Sequence, residues 1–372
     1  MVFNVVNDLR ILHMQMKRFV PFDRDSHYLA PAPCFVWYDF VRAHKTHKLS
    51  ATMAVVVLLT CALSLSSPRA ADWPTKSVRI IVPYAAGGAG DRVGRVFAEQ
   101  LSSTLGQQFI VENRAGGAGL IGSDIVARSA ADGYTLMIAG MASHVLGPTL
   151  NSKNVNFDPL RDFTHIAYLG GPPNLFVVHS ALGIKTFDEF ITLLRNKKDG
   201  VEYVSPSVGS VGNVVAQLFA TKAKVNLVHV GYRGGGAAIL DLVAGHIPVG
   251  SLTMSTTIEH IKAGTLIPIC ISSAERVSEL PDVPTLKELG FPELVTTTWF
   301  ELAGPAGLPV DVVARLNNAV NESMKQPQVV RYFHQDGIQT KPMTPLETQE
   351  FVRTEIAKWT PAVKSTILDR GQ

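Results

Sequence analysis

The stretch from Ser77 to Gly106 limits what this chain can fold into more than any other. Val78-Arg79-Ile80-Ile81-Val82-Pro83 is a short β-branched apolar run of the kind that lies inside a parallel sheet. It breaks into Tyr84-Ala85-Ala86-Gly87-Gly88-Ala89-Gly90, a loop with almost no side chains, where a ligand can approach the main chain. Asp91 then reads as an N-cap, and Val93, Val96, Phe97, Leu101 and Leu105 recur at helical spacing until the Gly106 stop. A strand, a bare loop and a helix start make an anion-binding device. Its free N–H groups and the positive end of the helix dipole favour a carboxylate or a phosphate.

The same device recurs. Tyr203-Val204-Ser205 leads through Pro206-Ser207-Val208-Gly209-Ser210 to a helix holding Val214, Val215, Leu218 and Phe219. Leu227-Val228-His229-Val230 leads through Gly231-Tyr232-Arg233-Gly234-Gly235-Gly236 to a helix ending at Gly245. Alternating strands and helices predict parallel sheets, with ligands at the carboxyl ends of the strands. Gly117 to Gly122 matches GxGxxG, which raises a dinucleotide fold. Three polar residues separate it from the Phe109–Val111 strand, and no acidic residue follows the next strand, Thr135 to Ala139, to bind a ribose. A glycine-rich turn that opens a Ser123–Ala130 helix is the better reading. Thr186-Phe-Asp-Glu189 reads as a capping box, and Thr344-Pro-Leu-Glu347 combines an N-cap, an N1 proline and a capping glutamate.

The charge balance excludes several functions. Of 34 basic and 31 acidic residues, 26 and 27 lie from Asp72 onward, so the body is near neutral and nucleic acid is not expected as a partner. Cys270 stands alone in the body, inside the apolar run Ile267–Ile271, and reads as a core thiol. The histidines show no close ligand spacing, so neither a metal site nor a cofactor is expected. No GxSxG elbow accompanies Ser143-His144 or the serines of 205–210, and the chain is not expected to be an enzyme. At the other end, Arg42 to Lys48 is basic and Leu49 to Pro68 is uncharged, followed by Ala70 and Ala71. This reads as a signal peptide at 49–71 after an unstructured or mis-annotated extension at 1–48, with translation starting nearer Val41. An uncleaved anchor is the competing reading.

One family carries this order of motifs. Trp73-Pro74, Val82-Pro83-Tyr84-Ala85 with Gly87-Gly88 and Asp91, Val111-Glu-Asn-Arg114, Asp132-Gly-Tyr-Thr135, Val228-His-Val230 with Tyr232-Arg-Gly234, Leu280-Pro-Asp-Val-Pro-Thr285 and Trp299-Phe300 with Pro305-Ala-Gly307 follow one another unbroken. From about Asp72 onward the chain resembles the tripartite tricarboxylate transporter substrate-binding proteins, the Bug family. The resemblance implies an α/β periplasmic-binding-protein (Venus flytrap) fold, type II-like, with two sheets, flanking helices and a double crossover hinge. Lobe 1 would comprise 72–172 and 296–372, and lobe 2 would comprise 173–295. It further implies a monomeric protein of the periplasm that binds a small carboxylate, delivers it to the membrane permease subunits of such a transporter, and closes on binding. An orphan sensor signalling to a membrane partner is the alternative use of the same fold. Carried over residue by residue, the lobe 1 contacts are Tyr84, Ala86, Gly87, Gly88, Ala89 and Gly90, with Ala142 and Ser143. The lobe 2 contacts are Ser205, Ser207, Gly209 and Ser210, with Gly234 and Gly235 behind them.

Departures from the family pattern fall where selectivity should lie. Ala86 stands for a usual proline, Gly90 for a hydroxyl residue, and Val211, Gly212 and Asn213 for Ser/Thr and His. Leu252 stands for a usual Asp, which leaves a ligand ammonium without a partner. The expected ligand is therefore a less polar mono- or dicarboxylate, aromatic or branched, ahead of citrate or an amino acid. Tyr84 is expected either to line the cleft or to pack on the loop.

Overall fold

A computed structural model describes residues 73–365; the expected extension and signal segment lie outside them. The chain opens with β1 (Val78–Val82), α1 (Ala89–Leu105), β2 (Phe109–Asn113), α2 (Leu120–Ala127), β3 (Thr135–Gly140) and β4 (Phe163–Gly170). A one-turn π-helix, Met141–Leu146, follows β3 directly. Next come β5 (Asn174–His179), α3 (Phe187–Asn196), β6 (Val201–Ser205), α4 (Val211–Ala223), β7 (Leu227–Gly231), α5 (Gly235–Val243), β8 (Val249–Thr253), α6 (Met254–Lys262) and β9 (Leu266–Ile271). The last elements are β10 (Phe300–Pro305), α7 (Val310–Ser323), α8 (Pro327–Gln335) and α9 (Pro345–Val363).

These strands form two five-stranded sheets, ordered β2-β1-β3-β10-β4 and β7-β6-β8-β5-β9. In the first, β1 runs parallel to β2 and β3, as the buried β-branched run predicts, whereas β10 is antiparallel to both neighbours. In the second, β6 runs parallel to β7 and β8, and β5 is antiparallel to β8 and β9. The glycine loops after β1, β6 and β7 therefore all leave carboxyl ends of parallel strands. That is where an α/β sheet places its ligands.

The chain passes between the sheets twice, after β4 and before β10, and the two passages are tied together. Pro173 bridges Thr297, the Thr298 N–H donates to the Pro172 carbonyl at 2.9 Å, and Asn174 Nδ2 donates to Thr298 Oγ1 at 2.8 Å. Ser272 and Thr296 exchange a second pair of bonds, at 2.8 and 2.7 Å. A pair of adjacent, hydrogen-bonded connections is the form a hinge takes, because few dihedrals need to change for the two halves to rotate.

Each sheet is covered on both faces. Ile80, Val82, Leu136, Ile138 and Leu302 pack under α1, α7 and α8, while Ile81, Met137 and Ala303 face Val126 of α2. In the second sheet, Leu175, Val177, Val204 and Leu252 lie under α5 and α6. Its other face holds Phe176, Phe190 and Phe219, with Phe219 stacked on Phe190 at 6.4 Å and edge-on to Phe291 at 5.1 Å. The capping boxes expected at Thr186 and Thr344 open α3 and α9. Thr285 and Glu288 exchange the same reciprocal bonds, at 2.7 and 3.1 Å, around a turn rather than a helix. The expected 123–130 helix starts earlier, at Leu120, because the left-handed turn Gly116–Gly119 closes sooner than the apolar spacing suggests.

Candidate functional site

Helix α1 begins two residues before its expected cap. Gly88 is its N-cap, and Asp91 lies inside the first turn. The Asp91 carboxylate instead staples the loop: it accepts from the Gly87 N–H at 2.9 Å, Asn113 Nδ2 at 2.9 Å and Arg95 Nε at 3.0 Å. Burial alone would raise its pKa, yet these bonds hold it below the usual carboxylate value. Asn113 also donates to the Tyr84 carbonyl at 3.1 Å, so β2 fixes both ends of the loop. Asp91 is thus spent on loop structure. The first N–H groups of α1 have no partners within the helix.

Of the two roles the sequence leaves open for Tyr84, the structure shows the packing one. Its ring packs edge-on to Phe300 at 5.6 Å and covers Gly90, where a β-carbon would lie 2.3 Å from the ring. Its hydroxyl donates to Ser143 Oγ at 3.1 Å, and burial raises its pKa. Ser143 Oγ also accepts from the Gly140 N–H at 3.1 Å. The β1 loop and the π-helix after β3, with half-buried Ala142, therefore form one wall.

The second sheet supplies the other wall. Ser210 caps α4, its hydroxyl accepting from the Asn213 N–H at 3.3 Å and donating to the Ser207 carbonyl at 2.7 Å. Asn213 Oδ1 in turn accepts from the Gly209 N–H at 3.1 Å. Buried Ser205 shares a 2.7 Å hydrogen bond with His229 Nε2, whose imidazole is held below its ordinary pKa by burial. The Gly234 N–H donates to the Pro206 carbonyl at 2.8 Å, which joins the β7 loop to the β6 loop and sets Gly235 at the start of α5.

The two walls meet. A β-carbon added to Gly234, whose φ is +128°, would lie 2.9 Å from Ala85 Cβ. One added to Gly209 would lie 3.2 Å from both Ala118 Cβ and Leu150 Cδ1. Three helix N-termini, those of α1, α4 and α5, thus converge from two sheets on one region, and their dipoles favour an anion there. The residues expected from sequence are brought together as two facing loop sets. Exposed Ala86 and Gly87 form the rim, and buried Gly90, Ser143, Ser205, Gly209, Ser210 and Gly235 lie within.

The sequence did not single out several contributors. Asn113 and His229 act by hydrogen bonds to residues 29 and 24 positions away, and Ala118 sits at φ 56° in the turn that faces Gly209. The turn's match to GxGxxG has a packing cause: β-carbons at Gly119 and Gly122 would meet Ser143 and Pro83 at 2.7 Å. Leu252 is fully buried beneath α5, so the position takes part in packing and brings no charge to the site. His144, His165 and Glu301 place ligating atoms within 4.8 Å of one another. Both imidazole Nδ1 atoms there are occupied by the carboxylate, at 3.1 and 2.9 Å, which makes the cluster a buried ion-pair network.

The family described as Tripartite tricarboxylate transporter family receptor matches residues 93–368. Protein BugT of Bordetella pertussis is 31% identical over 315 residues, 84% of this chain and 97% of its own length. The solved structure of Rpa4515 from R. palustris with adipate superposes with a TM-score of 0.75 at 29% identity, covering 79% of this chain and 98% of that one. MatC from Rhodopseudomonas palustris, with bound malate, gives 0.73 at 28% identity, covering 78% and 100%. With its two α/β lobes and a family model matched over most of its length, the chain belongs to the tripartite tricarboxylate transporter receptors, which bind solutes and are not enzymes.

Proposed function

We propose that this protein binds a small carboxylate between its two lobes in the periplasm and delivers it to the membrane subunits of a tripartite tricarboxylate-type transporter. The observation that carries the reading is the convergence of three helix N-termini from two hinged sheets, with Gly234 against Ala85. A ligand that touches both walls favours the closed arrangement by its differential affinity, and closure is the signal a membrane partner can read. The adipate and malate held by two relatives support the carboxylate class. No helix among the described residues is long and apolar enough to cross a membrane.

Selectivity follows from what lines the walls. The Ser205–Ser210 loop offers hydroxyls and N–H groups but no charged side chain, and Gly90 and Leu252 add neither a hydroxyl nor an acid. Such a site holds carboxylate oxygens and gives an ammonium no partner. A mono- or dicarboxylate of low polarity is the ligand. Thermal unfolding against mono-, di- and tricarboxylates, amino acids and nucleotides tests this. At a hundred times its dissociation constant, the right acid adds about 2.7 kcal/mol of stability, a shift of several degrees. A shift with nucleotides or acidic amino acids alone would sink the reading.

A further inference from the structure

Behind the lobe 1 wall lies a cluster that loop structure alone does not require. Glu301 sits on β10, two residues past the Trp299 whose carbonyl accepts from Met141 N–H of the π-helix at 3.2 Å. Its Oε1 meets His144 Nδ1 at 3.1 Å and its Oε2 meets His165 Nδ1, from β4, at 2.9 Å; all three side chains are fully buried or nearly so. His144 adjoins Ser143, the residue that takes the Tyr84 hydroxyl bond, and the Glu301 charge acts on that hydroxyl. The network therefore ties a cleft wall to a hinge-side strand. A cavity of about 230 Å³, lined by His144, Thr149, Ser152, Asp158, Thr360 and Lys364 among others, adjoins it on the His144 side.

We propose that this His165–Glu301–His144 network is a proton-linked positioning device, so that a carboxylate bound beside Ser143 draws one proton from solvent onto the His165 imidazole. The inference rests on the carboxylate reading above. The sign follows from charge. With His165 protonated, the network is neutral overall; once that proton leaves, the Glu301 carboxylate is a net buried negative charge behind Ser143 and opposes an anion in the cleft. Against the burial that would lower it, Glu301 raises the His165 pKa and the Pro159 carbonyl adds to this, while Arg353 on α9 opposes it. Burial lowers His144, and the two imidazoles hold Glu301 down at about 2, so neither exchanges a proton at neutral or alkaline pH. Of the other groups near the cleft, the Tyr84 hydroxyl, which feels Glu301, is raised by burial, and His229, on the opposite wall, is lowered by burial, so neither titrates between pH 6.5 and 9. Asp158 and Lys364 face the network only through the cavity.

Calorimetric titration of the purified protein with malate, adipate and benzoate, in phosphate and in Tris at pH 8, reads the proton directly from the enthalpy difference between buffers. Uptake of up to one proton per ligand is expected, less to the extent that His165 is already protonated in the free protein, with affinity falling roughly fivefold from pH 6.5 to 9, the low end of ordinary coupling between sites. Glu301→Gln should bind with a flat profile and no uptake. Should that variant fail to fold, histidine NMR of the unaltered protein serves: the His165 midpoint must rise when ligand saturates. Binding without uptake, an unmoved His165, or equal uptake in Glu301→Gln overturns the inference and leaves the proposed function standing. A stoichiometric divalent metal found between the imidazoles overturns it as well. If none of the three acids binds, the carboxylate reading and this inference fall together.

Discussion

Gly234 shows how closely one residue can be tied to the proposed site. Its φ of +128° lies where side chains are strained, and the space a β-carbon would need is taken by Ala85 of the other lobe. Gly234→Val therefore suffers twice, through about 1–3 kcal/mol of backbone strain and through a wedge between the walls. Binding of the preferred carboxylate should weaken at least tenfold, while far-UV circular dichroism keeps the α/β spectrum. Unchanged affinity in calorimetry would show that the walls need not approach here. Asp91 teaches the complementary lesson. A residue that reads as a helix cap is satisfied by Gly87, Arg95 and Asn113, and what it fixes is the shape of the loop.

Among the elements, α4 links the site to the core of its lobe. Its first turn, Ser210 to Asn213, holds the 205–210 loop, and one helical stretch later Phe219 fills the aromatic cluster with Phe176, Phe190 and Phe291. Phe219→Ala should cost about 3–5 kcal/mol by loss of burial and a residual cavity. Chemical denaturation measures it, and a loss under 1 kcal/mol would mean that the cluster repacks. What the sequence made legible is what repeats locally: β1, β6 and β7 each end in small residues and re-form as helices, and each appears as expected. What it hid is set by distant pairing. The antiparallel entry of β10 between β3 and β4 brings Glu301 to His144 and His165, partners 157 and 136 positions away, and no periodicity marks such a meeting. Helix starts shifted for a related reason, since glycine turns and backbone bonds, rather than apolar spacing, decide where α1 and α2 begin.

At the scale of the whole molecule, the two passages between the sheets, cross-linked through Pro172, Pro173, Thr297 and Thr298, form the narrow joint about which the proposed closure would turn. Helix α9 braces this joint from behind. Trp299 Nε1 donates to Glu355 at 2.9 Å and Lys358 donates to the Val295 carbonyl at 2.8 Å. Arg92 spans the lobes on the front, reaching the Ser255 carbonyl and Asp336, each at 3.0 Å. Binding in this architecture stabilises one arrangement of an existing joint, and no covalent chemistry is called for. Hydrogen exchange read by mass spectrometry, with and without a saturating carboxylate, tests this most directly. Protection should appear together in residues 84–92 of one lobe and in 205–214 and 231–238 of the other. Protection confined to a single lobe, or to neither, would contradict a ligand held between them.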